Sequence, residues 1–171
     1  MSVKIHVCPM TKVEATVTAA GARHLVSLLS SDTDFARPRS ISPENHLLLT
    51  MNDISAAQDG MTAPGEAHVK KLLAYAGSWD RSTPLVINCF AGISRSTAAA
   101  YVVAAALMPT RDEDELARTL RRLSPSATPN LLIVGLADGL LKRDGRMVAA
   151  ITGIGRGAEA YEGTPFALTI D

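Results

Sequence analysis

The stretch PLVINCFAGISRSTAAAYVVAAALM, residues 84–108, decides how this chain is read. Its first four residues, Pro84 to Ile87, form an apolar run that opens on a proline, the signature of a short buried strand. Its second half is rich in alanine and keeps its apolar character for about three turns, which predicts a buried helix. Between them a cysteine closes the strand, and an arginine six positions later opens the helix. Taken singly, both are odd choices. A buried cysteine usually only packs, and a positive charge in the first helical turn opposes the helix dipole. An anion held between the two residues removes the oddity. A loop running from a strand into a helix N-terminus turns successive backbone N–H groups into one concavity, and an arginine fork takes two oxygens of a phosphate at once. Gly92 supplies the unusual backbone angle that such a loop requires. In that setting the N–H groups, the dipole and the guanidinium of Arg95 all favour a thiolate at Cys89, a nucleophile aimed at phosphorus.

Further strands and helices are legible on both sides. Residues 3–8, 24–29 and 46–51 read as three more strands. Helices are predicted at 16–22, from Thr62 and Pro64 with an apolar face at Val69, Leu72, Leu73 and Ala76, from a capping box TRDE at 110–113 to Leu123, across 130–141, and after Gly145. Strands alternating with helices predict an α/β fold with a mainly parallel central sheet of about 4–5 strands flanked by helices. We expect a single domain over 1–171, with the glycine-rich stretch 154–171 as a C-terminal tail. GIGRG at 153–157 follows a helix instead of a strand, so it reads as part of that tail and not as a nucleotide loop.

Composition narrows the function. Hydrophobic residues make up 47% and charged residues 20%, a globular balance, and 17 acids offset 17 bases. A broad nucleic-acid or acidic-lipid surface calls for a basic excess, so neither nucleic acid nor membrane is expected as a partner. Any anionic ligand must be caught locally. The opening MSVKIHVCP lacks the apolar centre of a secretion signal, which leads us to expect a cytoplasmic protein with Cys8 and Cys89 as free thiols. The four histidines are scattered without ligand spacing, so no metal and no other cofactor is expected.

The spacing C-x5-R alone is a weak signal: two cysteines and 12 arginines in 171 positions give about 0.14 matches by chance. The strand before it, the helix after it and the wording of the loop add the weight. CFAGISRS, residues 89–96, resembles the phosphate-binding loop (P-loop) of cysteine-dependent protein tyrosine phosphatases, and the dual-specificity branch most of all. The resemblance implies a phosphatase-like fold and a phosphocysteine intermediate on Cys89. It also implies phosphate binding by Arg95 and by the loop residues Phe90, Ala91, Gly92, Ile93 and Ser94, and assistance to the departing thiolate by Ser96. MNDI, residues 51–54, resembles the family's general-acid loop and nominates Asp53; Asp59 is the competing acid. SPSATPN, residues 124–130, resembles the segment behind the phosphate loop, where Asn130 supports the loop or caps a helix. The likeness runs from about residue 24 to residue 141. It departs from the pattern at Asn88, where the family carries a histidine before its nucleophile.

The implied activity is phosphomonoester hydrolysis on phosphotyrosine or with dual specificity, the partner being a phosphorylated protein or a small phosphomonoester. Highly phosphorylated inositols would favour lysines in the loop, and none is present. Two other readings stay open: a phosphate-binding pseudophosphatase that recognises phosphorylated partners, prompted by Asn88, and a rhodanese-like sulfurtransferase.

Overall fold

The computed structural model describes residues 2–171. Five strands form one sheet: β1 (Val3–Pro9), β2 (His24–Leu29), β3 (His46–Thr50), β4 (Leu85–Cys89) and β5 (Phe166–Ile170), in the spatial order β3-β2-β4-β1-β5. The first four are mutually parallel, and β5 runs antiparallel to β1 at the edge. The α/β architecture is as predicted, with one correction at the C-terminus. The stretch 154–171 is not a free tail, because Phe166–Ile170 pairs with Val3–Val7 along the whole strand.

Six α-helices connect and cover the sheet: α1 (Val13–Ala20), α2 (Glu66–Ser78), α3 (Arg95–Leu107), α4 (Glu113–Leu123), α5 (Leu131–Leu140) and α6 (Arg146–Ile154). Three of their starts differ from the sequence reading, and α1 begins at Val13 instead of Thr16. α2 begins at Glu66 behind Gly65, whose N–H donates to His68 Nδ1 (3.0 Å), and not at Thr62. α4 is capped by Asp112, whose carboxylate accepts from Glu115 N (2.9 Å); the same cap-and-acid pattern recurs two residues beyond TRDE.

Alternation along the strands sorts the core into two faces. Ile5, Val7, Val26, Leu28, Leu85, Ile87 and Cys89 point into the large cluster built around α3. Cys8, Leu25 and Val86 point the other way, onto Val13 and Val17 of α1. Helix α3 is buried from Arg95 to Ala105, and its small alanines let it lie close against the sheet. Its N-terminus is thereby fixed at the carboxyl end of the central strand β4.

A buried ionic cluster locks the helical layer. Arg143 Nη1 donates to Glu113 Oε1 (2.8 Å) and Arg146 Nε to the same oxygen (3.2 Å), while Arg143 Nη2 reaches Ala105 O (2.8 Å). Burial pushes the Glu113 carboxyl upward, but the hydrogen bonds from Arg143 and Arg146 more than offset it and hold the group below its ordinary range. A depressed carboxylate stabilises the fold above its unfolded pKa, about 4.3, and that contribution disappears as pH falls through the lower folded value. Glu113→Gln, which leaves Arg143 buried without its counter-charge, is expected to lose about 3 kcal/mol at neutral pH. In urea titrations the gap to wild type should close below about pH 4.

Candidate active site

The loop between β4 and α3 is held by its carbonyl oxygens. Met10 N donates to Phe90 O (3.1 Å), Gly163 N to Ala91 O (2.7 Å), Thr128 N to Ile93 O (2.9 Å) and Asn130 N to Ser94 O (3.2 Å). Thr97 Oγ1 adds a second bond to Ile93 O (2.6 Å). In a trans peptide the C=O and the following N–H point in opposite directions, and no cis bond occurs among the described residues. Fixing those four carbonyls outward therefore turns the N–H groups of Ala91, Gly92, Ser94 and Arg95 inward. One of them shows where they aim: Gly92 N–H donates to Cys89 Sγ at 3.3 Å.

Gly92 is indispensable to this shape. Its φ is +70°, and a Cβ there would stand 2.6 Å from Pro9 N and 2.8 Å from the Cys8 carbonyl carbon. Gly92→Ala adds a left-handed strain of about 1–2 kcal/mol to an overlap that backbone atoms cannot relieve. We expect it to distort the loop, with anion binding lost in a vanadate titration while the far-UV spectrum stays native.

Cys89 is 2% exposed. Ser96 Oγ lies 3.1 Å from its sulfur, within reach to donate to a thiolate. Arg95, 6% exposed, donates from Nη1 to Met51 O (2.8 Å) and to Ser30 Oγ (3.4 Å). Its Nε is buried without a hydrogen-bond partner, and no carboxylate pairs with its guanidinium among the described residues. A buried cation without a counter-charge is costly, and a bound anion is what would compensate it.

Asp53 reaches the loop and Asp59 does not feature in its bonding. Asp53 Oδ1 accepts from Ser94 Oγ (2.7 Å) and from Asn130 Nδ2 (3.0 Å). Asn130 is bonded through both ends of its amide. Its Oδ1 caps α5 by accepting from Leu132 N and Ile133 N, while its Nδ2 also donates to Ile54 O (3.1 Å). One side chain thus fastens the segment at Asp53 and Ile54 to the start of α5.

Asn88 is fully buried on the opposite face of β4 from Cys89. Ser27 Oγ donates to Asn88 Oδ1 (2.6 Å), and His46 Nε2 lies 3.0 Å from Ser27 Oγ. The single serine proton is committed to Asn88, so the imidazole must donate from Nε2. Burial first, and the Arg37 charge second, hold the His46 pKa below its ordinary value, so the chain His46–Ser27–Asn88 brings dipoles and no charge toward the loop. Asn88 Nδ2 makes a longer contact to Cys89 O (3.4 Å). Sequence reading found neither Ser27 nor His46, since only the sheet order places β2 beside β4 and β3 beyond β2. Burial raises the other thiol, Cys8, to about 11, which keeps it in the unreactive protonated form.

A cavity of about 780 Å³ opens beside the loop at Asp53, Ile93 and Ser94, and its remaining wall includes Arg156 and Tyr161. No helix among the described residues is long and apolar enough to cross a membrane.

Solved structures share this architecture. The PTP-2 phosphatase of Cydia pomonella superposes with a TM-score of 0.61 at 19% identity, covering 79% of this chain and 84% of its own. DUSP15 gives 0.60 at 14% identity, with 91% and 94% covered. The human tyrosine phosphatase-like serine/threonine/tyrosine-interacting protein gives 0.61 at 16%, with 82% and 92% covered. The chain therefore has the fold of the tyrosine and dual-specificity phosphatases. No protein-family model matches it, and no curated protein matches it in sequence.

Proposed function

We propose that the protein is a cysteine-dependent phosphomonoester hydrolase acting on phosphotyrosine or with dual specificity. The observation that carries this reading is Arg95. A guanidinium 6% exposed, with Nε unpartnered and no carboxylate beside it, belongs to the first residue of the helix that follows the Cys89 loop. A phosphoryl dianion supplies the missing charge and presents oxygens in the geometry of the arginine fork.

The chemistry follows in two steps. Cys89 Sγ, as thiolate, attacks phosphorus; the S–P bond forms as the P–O bond to the leaving group breaks. Asp53 transfers its carboxyl proton to the departing oxygen. The inward N–H groups and Arg95 hold the three equatorial oxygens through the transition state. Water then attacks the phosphocysteine, Asp53 takes up its proton, and the S–P bond breaks with Ser96 Oγ donating to the sulfur that leaves. Apart from the attacking water, both steps use only the chain's own groups, and the second returns Cys89 to thiolate and Asp53 to its protonated form. A thiol nucleophile works in a reducing compartment, which suits a cytoplasmic phosphatase of phosphorylated proteins.

Asn88 supports a second reading. The neutral His46–Ser27–Asn88 chain brings no positive charge to Cys89, as a phosphate-binding pseudophosphatase would tolerate. Turnover of a small aryl phosphate distinguishes the two. The hydrolase reading expects vanadate-sensitive hydrolysis, reduced about 100-fold in kcat by Asp53→Asn at neutral pH. Phosphopeptide binding without hydrolysis would overturn it in favour of the pseudophosphatase.

A further inference from the structure

The segment 155–163 is strapped along the outer side of the phosphate loop, beside the cavity that opens at Asp53, Ile93 and Ser94. At one end Arg121 Nη2 donates to Gly155 O (2.7 Å), and Gly157 N donates to Thr128 Oγ1 (3.0 Å). Ala158 N adds a bond to Pro125 O (2.9 Å). At the other end Gly163 N donates to Ala91 O, inside the loop itself (2.7 Å), and Thr11 Oγ1 donates to Glu162 (2.9 Å). Both ends are backbone against backbone. A Cβ on Gly157 would come within 2.5 Å of the Ser126 carbonyl, and one on Gly163 within 2.5 Å of Gly92 O. Between these anchors the segment lines the 780 Å³ cavity that Asp53 also lines.

That placement constrains the substrate. With phosphate on the loop, the bridging oxygen must meet Asp53, so whatever is esterified to it extends into the cavity and against the strap. Two side chains there are unspent. Tyr161 is 90% exposed, an unusual state for a large aromatic on a cavity wall. Arg156 is the one basic side chain among the residues lining the cavity, and its pairing with Glu159 is loose, at 3.7 Å with both side chains largely in solvent.

We propose that this strap is the specificity wall of the site, and that it selects phosphotyrosyl peptides carrying an acidic residue next to the phosphotyrosine. Tyr161 packs on the leaving tyrosyl ring, and Arg156 exchanges Glu159 for the neighbouring carboxylate of the substrate. This assignment rests on the hydrolase reading above. It makes Tyr161 and Arg156 specificity-determining residues that act on binding and leave the chemical step alone.

The test compares wild type, Tyr161→Ala and Arg156→Ala on two phosphotyrosyl peptides that differ only in an acidic or neutral flank, together with inhibition by orthovanadate, which occupies the loop without a leaving group. Tyr161→Ala is expected to lower kcat/KM roughly tenfold on both peptides through KM. Arg156→Ala is expected to lower it about threefold on the acidic peptide alone, removing the preference. The vanadate constant should stay at its wild-type value in both. Variants that handle both peptides as wild type does overturn the proposal. So does a loss that appears equally in the vanadate constant, because that would mark damage to the loop. If wild type turns over neither peptide, the hydrolase reading fails separately. Peptide binding to Cys89→Ser then decides the strap: weakening of about tenfold on adding Tyr161→Ala upholds it, and unchanged binding overturns it.

Discussion

Cys89→Ser is expected to lower kcat for an aryl phosphate by about four orders of magnitude or more, with phosphate binding retained. The serine hydroxyl occupies nearly the same volume in a 2% exposed position, so packing is preserved. The nucleophile is what changes. Gly92 N–H donates to the sulfur at 3.3 Å and Ser96 Oγ lies 3.1 Å from it, while a neutral serine hydroxyl offers no attacking pair comparable to a thiolate near neutral pH. Nothing beside Cys89 is placed to deprotonate a serine: Asp53 is bonded to Ser94 and Asn130 instead. Initial rates with aryl phosphate and a phosphopeptide titration, run on the same preparation, check both halves. Residual activity within tenfold of wild type would mean that another group attacks phosphorus.

Arg95→Ala should cost about three orders of magnitude in kcat/KM, and the conservative Arg95→Lys nearly as much. Arginine does two things here that lysine cannot. Its Nη1 anchors the acid loop through Met51 O, two residues from Asp53, while Nε remains free for a second partner. A lysine ammonium is a point charge on a flexible stem and cannot span both places. The expected signature is a loss in both KM and kcat, because the clamp acts on bound phosphate and, through Met51, on the position of the acid. The phosphate-free protein should meanwhile become more stable to urea, since a buried cation lacking a counter-charge has been removed. A variant that is both inactive and destabilised without ligand would show that Arg95 is structural.

How much of this was legible in the sequence depended on range. The unit from Leu85 to Leu107 is local, and its strand, loop and helix are written in contiguous residues, down to the helix start at Arg95. Asp53 was legible because strand ends gather at one edge of a parallel sheet. What escaped the sequence was set by pairing between distant strands. Asn88 could not be understood until β2 lay beside β4, which delivers Ser27 and, behind it, His46. Strand β5 was missed because five residues after a glycine-rich run carry no decisive period, and their partner, β1, stands at the far end of the chain. The strap escaped for the same reason, its glycines marking close backbone approach and not flexibility. The start of α4 slipped by two residues because two candidate caps, Thr110 and Asp112, lie within one turn, and Asp112 is the one whose side chain reaches an amide.

The central claim is that Cys89 carries the phosphoryl group between two chemical steps. Ser96→Ala removes the hydroxyl 3.1 Å from the sulfur and should slow the second step more than the first. Acid-quenching that variant during turnover of an aryl phosphate, followed by mass spectrometry of the peptide containing Cys89, is the most direct measurement. The mechanism predicts one phosphoryl group on Cys89, accumulating to a large fraction of the enzyme within the burst of aryl alcohol release. Steady release of aryl alcohol with Cys89 unmodified, or with the phosphoryl group on another residue, would contradict it.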